Sequence, residues 1–150
     1  MPTVTDHTKA EFIKFLEAND KMEMIDELAA VFSGSGVTGD VASLVRALKE
    51  REEVMSTGIG FGIAIPHAKI PAVNEMAFAI GISPRGIPYD SMDGEPVHIV
   101  ILVAAGERQH KEYLRLLSKI LSFIKKDRVK DAIINSRSSE DVVAILKASH

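Results

Sequence analysis

The 150-residue sequence contains no cysteine and no tryptophan, and aromatic residues make up only 5% of it. Without cysteine the chain cannot form a disulfide, use a thiolate nucleophile or hold zinc or an iron–sulfur cluster through sulfur. Basic residues number 18 against 21 acidic ones, and the formal net charge is −3. Since a nucleic-acid-binding protein usually carries a basic face, we expect no nucleic acid among the partners.

A long apolar run is missing as well. The longest one, Val97–Ala105, is interrupted by His98 and is far shorter than the roughly 20 residues of a membrane-spanning helix. The start of the sequence has neither the apolar core nor the basic leader of a secretory signal. We therefore expect a soluble, cytoplasmic protein.

The remaining composition is that of an ordinary globular protein, with 46% apolar and 26% charged residues. A chain of this length can bury a substantial core, and we find no internal repeat or proline-rich linker that would divide it. We therefore predict one domain over residues 1–150, with its folded core at about 10–147.

Hydrophobic patterning predicts helices, then strands, then helices again. Apolar residues at helical spacing predict helices at residues 20–32, 40–51, 110–124, 127–134 and 138–146. Compact apolar runs predict strands at residues 12–16, 61–65, 76–82 and 97–104. Turn-forming residues fall at 83–86 and 93–96. This order indicates an α/β fold, a single-domain mixed β-sheet of about five strands flanked by helices on both faces.

Histidines are the first candidates for chemistry, because imidazole is a nucleophile that is available in its neutral form near neutral pH. His7 and His150 lie in polar terminal segments. His98 lies inside an apolar strand, where a structural role is the simpler interpretation. His67 and His110 differ, since each lies at the boundary of a predicted element.

His67 follows Pro66 at the end of a predicted strand, and Gly58, Gly60 and Gly62 precede it at alternate positions. Glycine lets a ligand approach the backbone closely because it has no Cβ, and exposed amides bind phosphate oxygens. The pattern is compatible with a phosphate site in which His67 is the nucleophile. On these residues alone, a purely structural Pro-His beside a glycine-rich turn also fits.

Two further residues are candidates for anion binding. His110 begins the long predicted helix, where free N–H groups and the positive end of the helix dipole favour an anion. Arg51 ends the second helix, and a guanidinium can bind phosphate through two hydrogen bonds. Each has a structural alternative: His110 as an exposed polar residue, and Arg51 as a helix-terminal cation paired with Glu52 or Glu53.

The segment Arg51–Ala68, which ends in Ala-Ile-Pro-His-Ala, resembles the phosphohistidine signature of IIA domains of the fructose/mannitol type. These domains belong to the bacterial phosphoenolpyruvate-dependent sugar phosphotransferase system. The resemblance continues at Asp93–Val97, which leads into an apolar strand, and at the histidine that opens the following long helix. It extends from residue 10 to residue 147.

The resemblance implies that His67 is the phosphorylated residue, assisted by His110 and Arg51. The donor it implies is the phosphohistidine of the small carrier HPr. The acceptor it implies is a IIB component, which phosphorylates a sugar during its uptake by a IIC permease. The resemblance further implies that these partners are on separate chains and that this chain is peripheral to the membrane permease at most. The family also suggests phosphorylation at Nε2 of the imidazole, with Nδ1 held by a backbone carbonyl.

Phosphoryl transfer depends mainly on positioning and on compensating the charge of the phosphoryl oxygens. We expect these oxygens to be held by amides of the glycine-rich loop, Gly60 and Gly62 among them, and by the first turn of the helix at His110. The resemblance adds Thr57 as a nearby polar group. No metal ion or other cofactor is expected, because these groups supply the compensation. For partner docking we expect an apolar rim, with three candidates that fit the core equally well: Ile59, Phe61 and Ile70.

One residue departs from the family pattern, and three alternative functions stay open. Many relatives carry a polar residue, often asparagine, where this chain has Phe61. Nitrogen-regulatory IIA proteins keep the same histidine but signal by binding regulatory partners according to its phosphorylation state. A metal-dependent hydrolase would use His67 and His110, although no Asp or Glu set stands at ligand spacing near them. A purely structural protein would leave the motif at 51–68 unexplained.

Overall fold

The computed structural model describes residues 4–148, so His150 lies outside the described residues. The described part contains five α-helices: α1 (Lys21–Ala29), α2 (Val41–Val54), α3 (His110–Ile124), α4 (Asp127–Ile134) and α5 (Ser139–Ala148). Short 3-10 helices cover Val4–His7, Ala10–Phe12 and Ala30–Phe32. Across this described part, no helix has both the length and the apolar character needed to cross a bilayer.

Side-chain caps explain where three of the helices begin. The Asp20 carboxylate accepts a hydrogen bond from the third N–H of α1, and Asp40 does the same in α2. Before α5, the Ser138 hydroxyl accepts a hydrogen bond from the N–H of Asp141 at 3.1 Å, as the first residue of a capping box does. At its other end, α2 continues beyond Arg51 to Val54.

Six strands form one sheet in the order β1-β5-β6-β3-β2, and β4 also pairs with β6. The strands are β1 (Ile13–Phe15), β2 (Gly58–Gly60), β3 (Ile63–Ala64), β4 (His67–Lys69), β5 (Ala77–Ile87) and β6 (Val97–Ala105). β5 and β6 are antiparallel, as are β2 and β3, whereas β1 is parallel to β5 and both β3 and β4 are parallel to β6. The α/β fold with a mixed sheet is confirmed.

β6 lies inside the sheet, and its side chains alternate between two cores. Ile99, Ile101 and Val103 pack on the side of α3, α4 and α5. Val100 and Leu102 pack on the side of α1 and α2. All five side chains are at most 1% exposed. Because helices cover both faces, this strand is a nearly continuous apolar run in the sequence.

The strand predicted at 61–65 is wrong in its bounds. β2 ends at Gly60 and the chain turns at Phe61 and Gly62, which have φ angles of 60° and 76°. Two consecutive positive φ angles produce a tight turn between antiparallel strands. The glycine adopts this conformation readily, whereas a bulky residue such as Phe61 rarely does. The predicted strand is therefore a hairpin in which only β3 belongs to the original range.

The turn predicted at 83–86 is also wrong, because β5 continues to Ile87. The register with β6 shifts between Ile82 and Ile87, so the residues between them bulge out of the ladder. Pro84 cannot donate a ladder hydrogen bond and Gly86 has a φ angle of 86°. These residues interrupt the pairing without reversing the chain. The second turn begins two residues earlier than the predicted 93–96, since the N–H of Gly94 donates to the carbonyl oxygen of Ser91 at 3.0 Å.

Candidate functional site

His67 begins β4 and lies opposite Val103 on β6. Its Nδ1 is 2.7 Å from the carbonyl oxygen of Ile65. A carbonyl oxygen only accepts hydrogen bonds, so Nδ1 carries the proton and the lone pair of the neutral ring is on Nε2. The preceding residue, Pro66, is held to β6 because its carbonyl oxygen accepts the N–H of Val103 at 2.9 Å. His67 is partly exposed, and its nucleophilic nitrogen in this geometry is Nε2.

Lys69 follows His67 by two positions on β4, so both side chains lie on the same face of the strand. Ala68 between them packs in the core on the side of α1 and α2, which places His67 and Lys69 on the side of α3. The Lys69 Nζ is 2.9 Å from Nδ1 of His110, the first residue of α3. Since an ammonium only donates, His110 Nδ1 accepts and its Nε2 carries the ring proton.

Tyr113 lies three positions after His110 and therefore on the same side of α3. Its ring centroid is 6.0 Å from that of His67. Burial raises the pKa of the Tyr113 phenol to about 12, while the positive charge of Arg51 acts in the opposite direction. The phenol is consequently neutral at physiological pH, and the charge of the Arg51 guanidinium acts on it.

Arg51 lies in the carboxyl-terminal part of α2. Its Nη1 donates a hydrogen bond to the carbonyl oxygen of Met55 at 2.9 Å. A guanidinium has five N–H donors, so others remain for an anion. Because α2 packs against β4 and the charge of Arg51 acts on Tyr113, the fold brings the predicted site residues Arg51, His67 and His110 toward the same end of α3.

Thr57 has its polar groups engaged elsewhere. It is 5% exposed. Its N–H donates to Glu52 Oε2 at 2.7 Å, and its hydroxyl donates to Glu52 Oε1. The Glu52 side chain therefore points inward instead of pairing with Arg51. Thr57 supports the segment between α2 and β2, and no donor on it is directed at His67.

Gly60 and Gly62 do not border His67. The carbonyl oxygen of Gly62 accepts the N–H of Ile99 at 3.0 Å, whereas His67 pairs with Val103. These two positions are separated by about 13 Å along β6, at roughly 3.3 Å per residue. The expectation that both glycine amides hold the phosphoryl oxygens is corrected, because the hairpin lies near the other end of β6.

The backbone N–H and carbonyl oxygen of Phe61 in that hairpin are hydrogen-bonded to side chains from other parts of the chain. The Phe61 N–H donates to Asp93 Oδ2 at 3.1 Å. Hydrogen bonds from the backbone of Glu95 first, and then from Phe61, hold the pKa of the Asp93 carboxyl below its usual value. The Phe61 carbonyl oxygen accepts from Lys130 Nζ at 3.1 Å. A Cβ at Gly60 would lie 3.3 Å from the same Asp93 oxygen, so glycine serves close packing here.

The apolar surface near His67 differs from the expected rim. Ile59 and Ile70 are partly buried against the two cores, and Phe61 is in the distant hairpin. Two strongly exposed apolar side chains adjoin site residues instead. Met55, whose carbonyl binds Arg51, is 68% exposed, and Leu114, which follows Tyr113, is 51% exposed.

Lys69 and Tyr113 are not among the site residues predicted from the sequence, although the spacing of each from a predicted histidine could have indicated it. Lys69 has the two-residue spacing from His67 that defines one face of a strand. Tyr113 has the three-residue spacing from His110 that defines one side of a helix.

The structural role predicted for His98 agrees with its Nδ1 being 2.9 Å from the carbonyl oxygen of Ser83. Within residues 4–148, no group of three or more His, Asp and Glu side chains could hold a metal ion.

Gly106 lies in the turn between β6 and α3, four residues before His110. A Cβ at this position would be 2.7 Å from the backbone oxygen of Val73, which cannot rotate away. We expect Gly106→Ala to displace the turn and to lower the free energy of unfolding by about 1–3 kcal/mol. Denaturant unfolding measures this difference. Gly39→Ala is the control, since its Cβ meets nothing within 4 Å; equal losses in both variants would contradict the prediction.

Comparisons with known proteins identify the family of this chain. Residues 6–149 match the family described as "Phosphoenolpyruvate-dependent sugar phosphotransferase system, EIIA 2". The chain is 34% identical over 131 residues to the PTS system fructose-specific EIIABC component of Bacillus subtilis. This match covers 87% of this chain and 21% of that protein. It is also 30% identical over 145 residues to the nitrogen regulatory protein of Bradyrhizobium diazoefficiens. This second match covers 95% of this chain and 94% of that protein.

Solved structures show the same fold. The crystal structure of nitrogen regulatory protein IIA-Ntr from Neisseria meningitidis matches with a TM-score of 0.87 and 25% identity, over 95% of this chain and 98% of that chain. In a complex of enzyme IIAMtl with phosphorylated enzyme IIBMtl from Escherichia coli, the matching chain has a TM-score of 0.80 and 21% identity, over 94% of this chain and 97% of that one. The chain belongs to the type-2 IIA family of the phosphoenolpyruvate-dependent sugar phosphotransferase system, whose members are phosphocarrier transferases.

Proposed function

We propose that this chain accepts a phosphoryl group on Nε2 of His67 and passes it to another protein. The observation that carries the proposal is the 2.7 Å hydrogen bond between His67 Nδ1 and the Ile65 carbonyl oxygen. It leaves the lone pair of the neutral ring on Nε2, where an incoming phosphorus can be attacked. Phospho-HPr is the proposed donor and a IIB component the proposed acceptor. The complex of IIAMtl with phosphorylated IIBMtl supports that acceptor by analogy.

In the proposed step, His67 Nε2 attacks phosphorus in line with the bond to the donor histidine. The new N–P bond forms as the donor bond breaks, and the leaving imidazole keeps that electron pair. The proton on His67 Nδ1 remains hydrogen-bonded to the Ile65 carbonyl oxygen throughout. Transfer to the acceptor is the same reaction with His67 as leaving group. A relay of this kind needs an accessible site, which agrees with the partial exposure of His67.

Charge on the three phosphoryl oxygens is compensated by groups around the start of α3. His110 offers an Nε2–H because Lys69 occupies its Nδ1. The Lys69 ammonium adds a positive charge on the same side of β4 as His67. Arg51 supplies a second cation, whose field reaches the neighbouring Tyr113. These contributions replace those expected from the amides of the glycine-rich hairpin.

Both protein partners would dock over one surface. The exposed Met55 and Leu114 adjoin Arg51 and Tyr113, so apolar area flanks the cationic site. A transient complex needs a modest interface of this mixed character. Because the proposed donor and acceptor act on the cytoplasmic side of a permease, we place the chain in the cytoplasm.

A regulatory role is the second candidate. The nitrogen regulatory protein of Bradyrhizobium diazoefficiens matches 95% of this chain, and IIA-Ntr from Neisseria meningitidis has a TM-score of 0.87. In this alternative His67 is phosphorylated by the same chemistry, and the phosphorylation state governs binding to a regulatory partner. The two candidates therefore share the phosphorylation step and differ in whether phospho-His67 donates its phosphoryl group or signals through binding.

The experiment is a reconstituted relay. The full chain is incubated with phosphoenolpyruvate, the first enzyme of the system and HPr, and the phosphorylated residue is located by mass spectrometry under alkaline conditions. We expect one phosphoryl group per chain, on His67. Addition of a IIB component should then remove it if the transport role is right, whereas persistence favours the regulatory role. A chain that stays unmodified, or is modified elsewhere, contradicts the proposal.

A further inference from the structure

Glu52 lies in the last turn of α2 and is 2% exposed although it carries a carboxyl group. Its two oxygens accept hydrogen bonds from the N–H and the hydroxyl of Thr57. The Tyr89 hydroxyl also donates to Oε1 at 3.0 Å, and burial raises the pKa of that phenol, so it stays protonated. Lys21 Nζ is 3.8 Å from Oε2. The carboxylate is therefore buried with its acceptors satisfied, which is the condition for tolerating such a group inside a protein.

A chain of hydrogen bonds runs from this carboxylate to His67. Glu52 holds the backbone and side chain of Thr57. The Thr57 carbonyl oxygen accepts the N–H of Ile65 at 3.0 Å. The Ile65 carbonyl oxygen in turn binds His67 Nδ1 at 2.7 Å. Only two residues separate the buried carboxylate from the imidazole.

The link is mechanical. At Thr57 and at Ile65, the N–H and the carbonyl oxygen that take part belong to successive peptide groups, so polarisation of one amide does not pass directly to the next. Each hydrogen bond instead fixes where the next group in the series lies. Thr57 and Ile65 are each 5% exposed, so no bulk water competes for these groups. On the far side, the Val103 N–H holds the carbonyl oxygen of Pro66, and Glu52 supplies the restraint that comes from α2.

We propose that Glu52 is a positioning residue for His67. By fixing Thr57 and through it Ile65, it keeps the Ile65 carbonyl oxygen where His67 Nδ1 must donate to it, and so keeps the lone pair on Nε2. The kinetic consequence rests on the proposed phosphoryl transfer, whereas the effect on the imidazole does not. This role also explains why the same helix turn presents Arg51 outward and Glu52 inward.

The test measures the His67 tautomer and the transfer rate in the same variants of the full chain. With ¹⁵N-labelled histidine, two-bond nitrogen–proton couplings show which ring nitrogen carries the proton. Glu52→Gln removes the charge and one of the two carboxylate acceptors that bind Thr57, and Thr57→Val removes the hydroxyl while keeping the backbone N–H bond. Glu53→Gln is the matched control, since Glu53 is the adjacent carboxyl group and is exposed. Circular dichroism establishes that each variant is folded.

We expect the His67 Nδ1–H tautomer to dominate in the natural chain and in Glu53→Gln. In Glu52→Gln the other tautomer should become detectably populated and the initial rate of phosphorylation should fall about tenfold to a hundredfold, because a small misplacement of a reacting group has effects of this size. Thr57→Val should show both changes to a smaller extent. Parallel changes in tautomer and rate separate positioning from a general loss of stability.

Three results would overturn the proposal. The first is a folded Glu52→Gln or Thr57→Val whose His67 tautomer ratio equals that of the natural chain, whatever the rate. The second is a loss of rate that only tracks the unfolded fraction. The third is failure of both variants to fold, which would make Glu52 a stability residue. If the natural chain takes no phosphoryl group from HPr yet the tautomer shifts in the variants, the proposed function fails and the positioning role stands.

Discussion

His67→Gln is expected to abolish phosphoryl uptake from phospho-HPr, with an initial rate at least roughly 10³-fold below that of the natural chain. The nitrogen of a glutamine amide is not nucleophilic, since its lone pair is delocalised into the carbonyl group. In the natural chain, the hydrogen bond of His67 Nδ1 to the Ile65 carbonyl oxygen leaves Nε2 available for attack. The measurement is the time course of phosphorylation followed by intact-protein mass spectrometry.

The control for this prediction is His98→Gln. His98 also has its Nδ1 on a carbonyl oxygen, that of Ser83, but it lies on β6 beside the hairpin and away from α3. We expect uptake at the rate of the natural chain and a loss of about 1 kcal/mol in the free energy of unfolding, the size of one hydrogen bond. Uptake retained by His67→Gln, or lost by a folded His98→Gln, would show that the wrong histidine has been assigned.

Elements with a strong and continuous pattern were predictable from the sequence. β6 is apolar along nearly its whole length because both of its faces are covered. α3 carries an apolar stripe whose members Leu116, Ile120 and Ile124 are all buried. In each case one physical requirement, burial, acts on every turn or every residue of the element, so the local pattern contains the answer.

The hairpin at β2 and β3 was not predictable in the same way. A glycine-rich segment permits several conformations, and the one adopted is selected by partners that are distant in sequence. The Asp93 carboxylate accepts the Phe61 N–H, and Lys130 donates to the Phe61 carbonyl oxygen. These contacts hold Phe61 at a positive φ angle that its own side chain disfavours.

The same reasoning explains why part of the site was missed. The motif makes His67 and His110 candidates, but the pairing of Lys69 with His110 depends on how β4 is aligned with β6 and how α3 crosses it. That alignment comes from the register between Lys69 and Ala105 and from packing across the sheet. Local spacing can suggest that two residues share a face, but only the fold determines what that face meets.

His110→Ala is expected to slow phosphorylation of His67 by about 10²-fold to 10³-fold, the usual cost of removing one hydrogen-bond donor to a developing negative charge. The nucleophile is untouched, so the same residue should still be modified at long times. The donor in question is His110 Nε2–H, which exists because Lys69 Nζ occupies Nδ1 at 2.9 Å. Initial rates with phospho-HPr over a range of chain concentrations measure the effect on transfer separately from docking.

His110→Gln is the matched variant, because its side-chain amide can still donate an N–H to a phosphoryl oxygen. It should recover part of the rate that His110→Ala loses, whereas a role in partner docking alone would weaken apparent binding and leave the maximal rate unchanged. An unchanged maximal rate in His110→Ala would remove His110 from the chemistry. Lys69 would then be left as a cation facing the phosphoryl group directly, and the transition-state charge would have to be compensated by Lys69 and Arg51 alone.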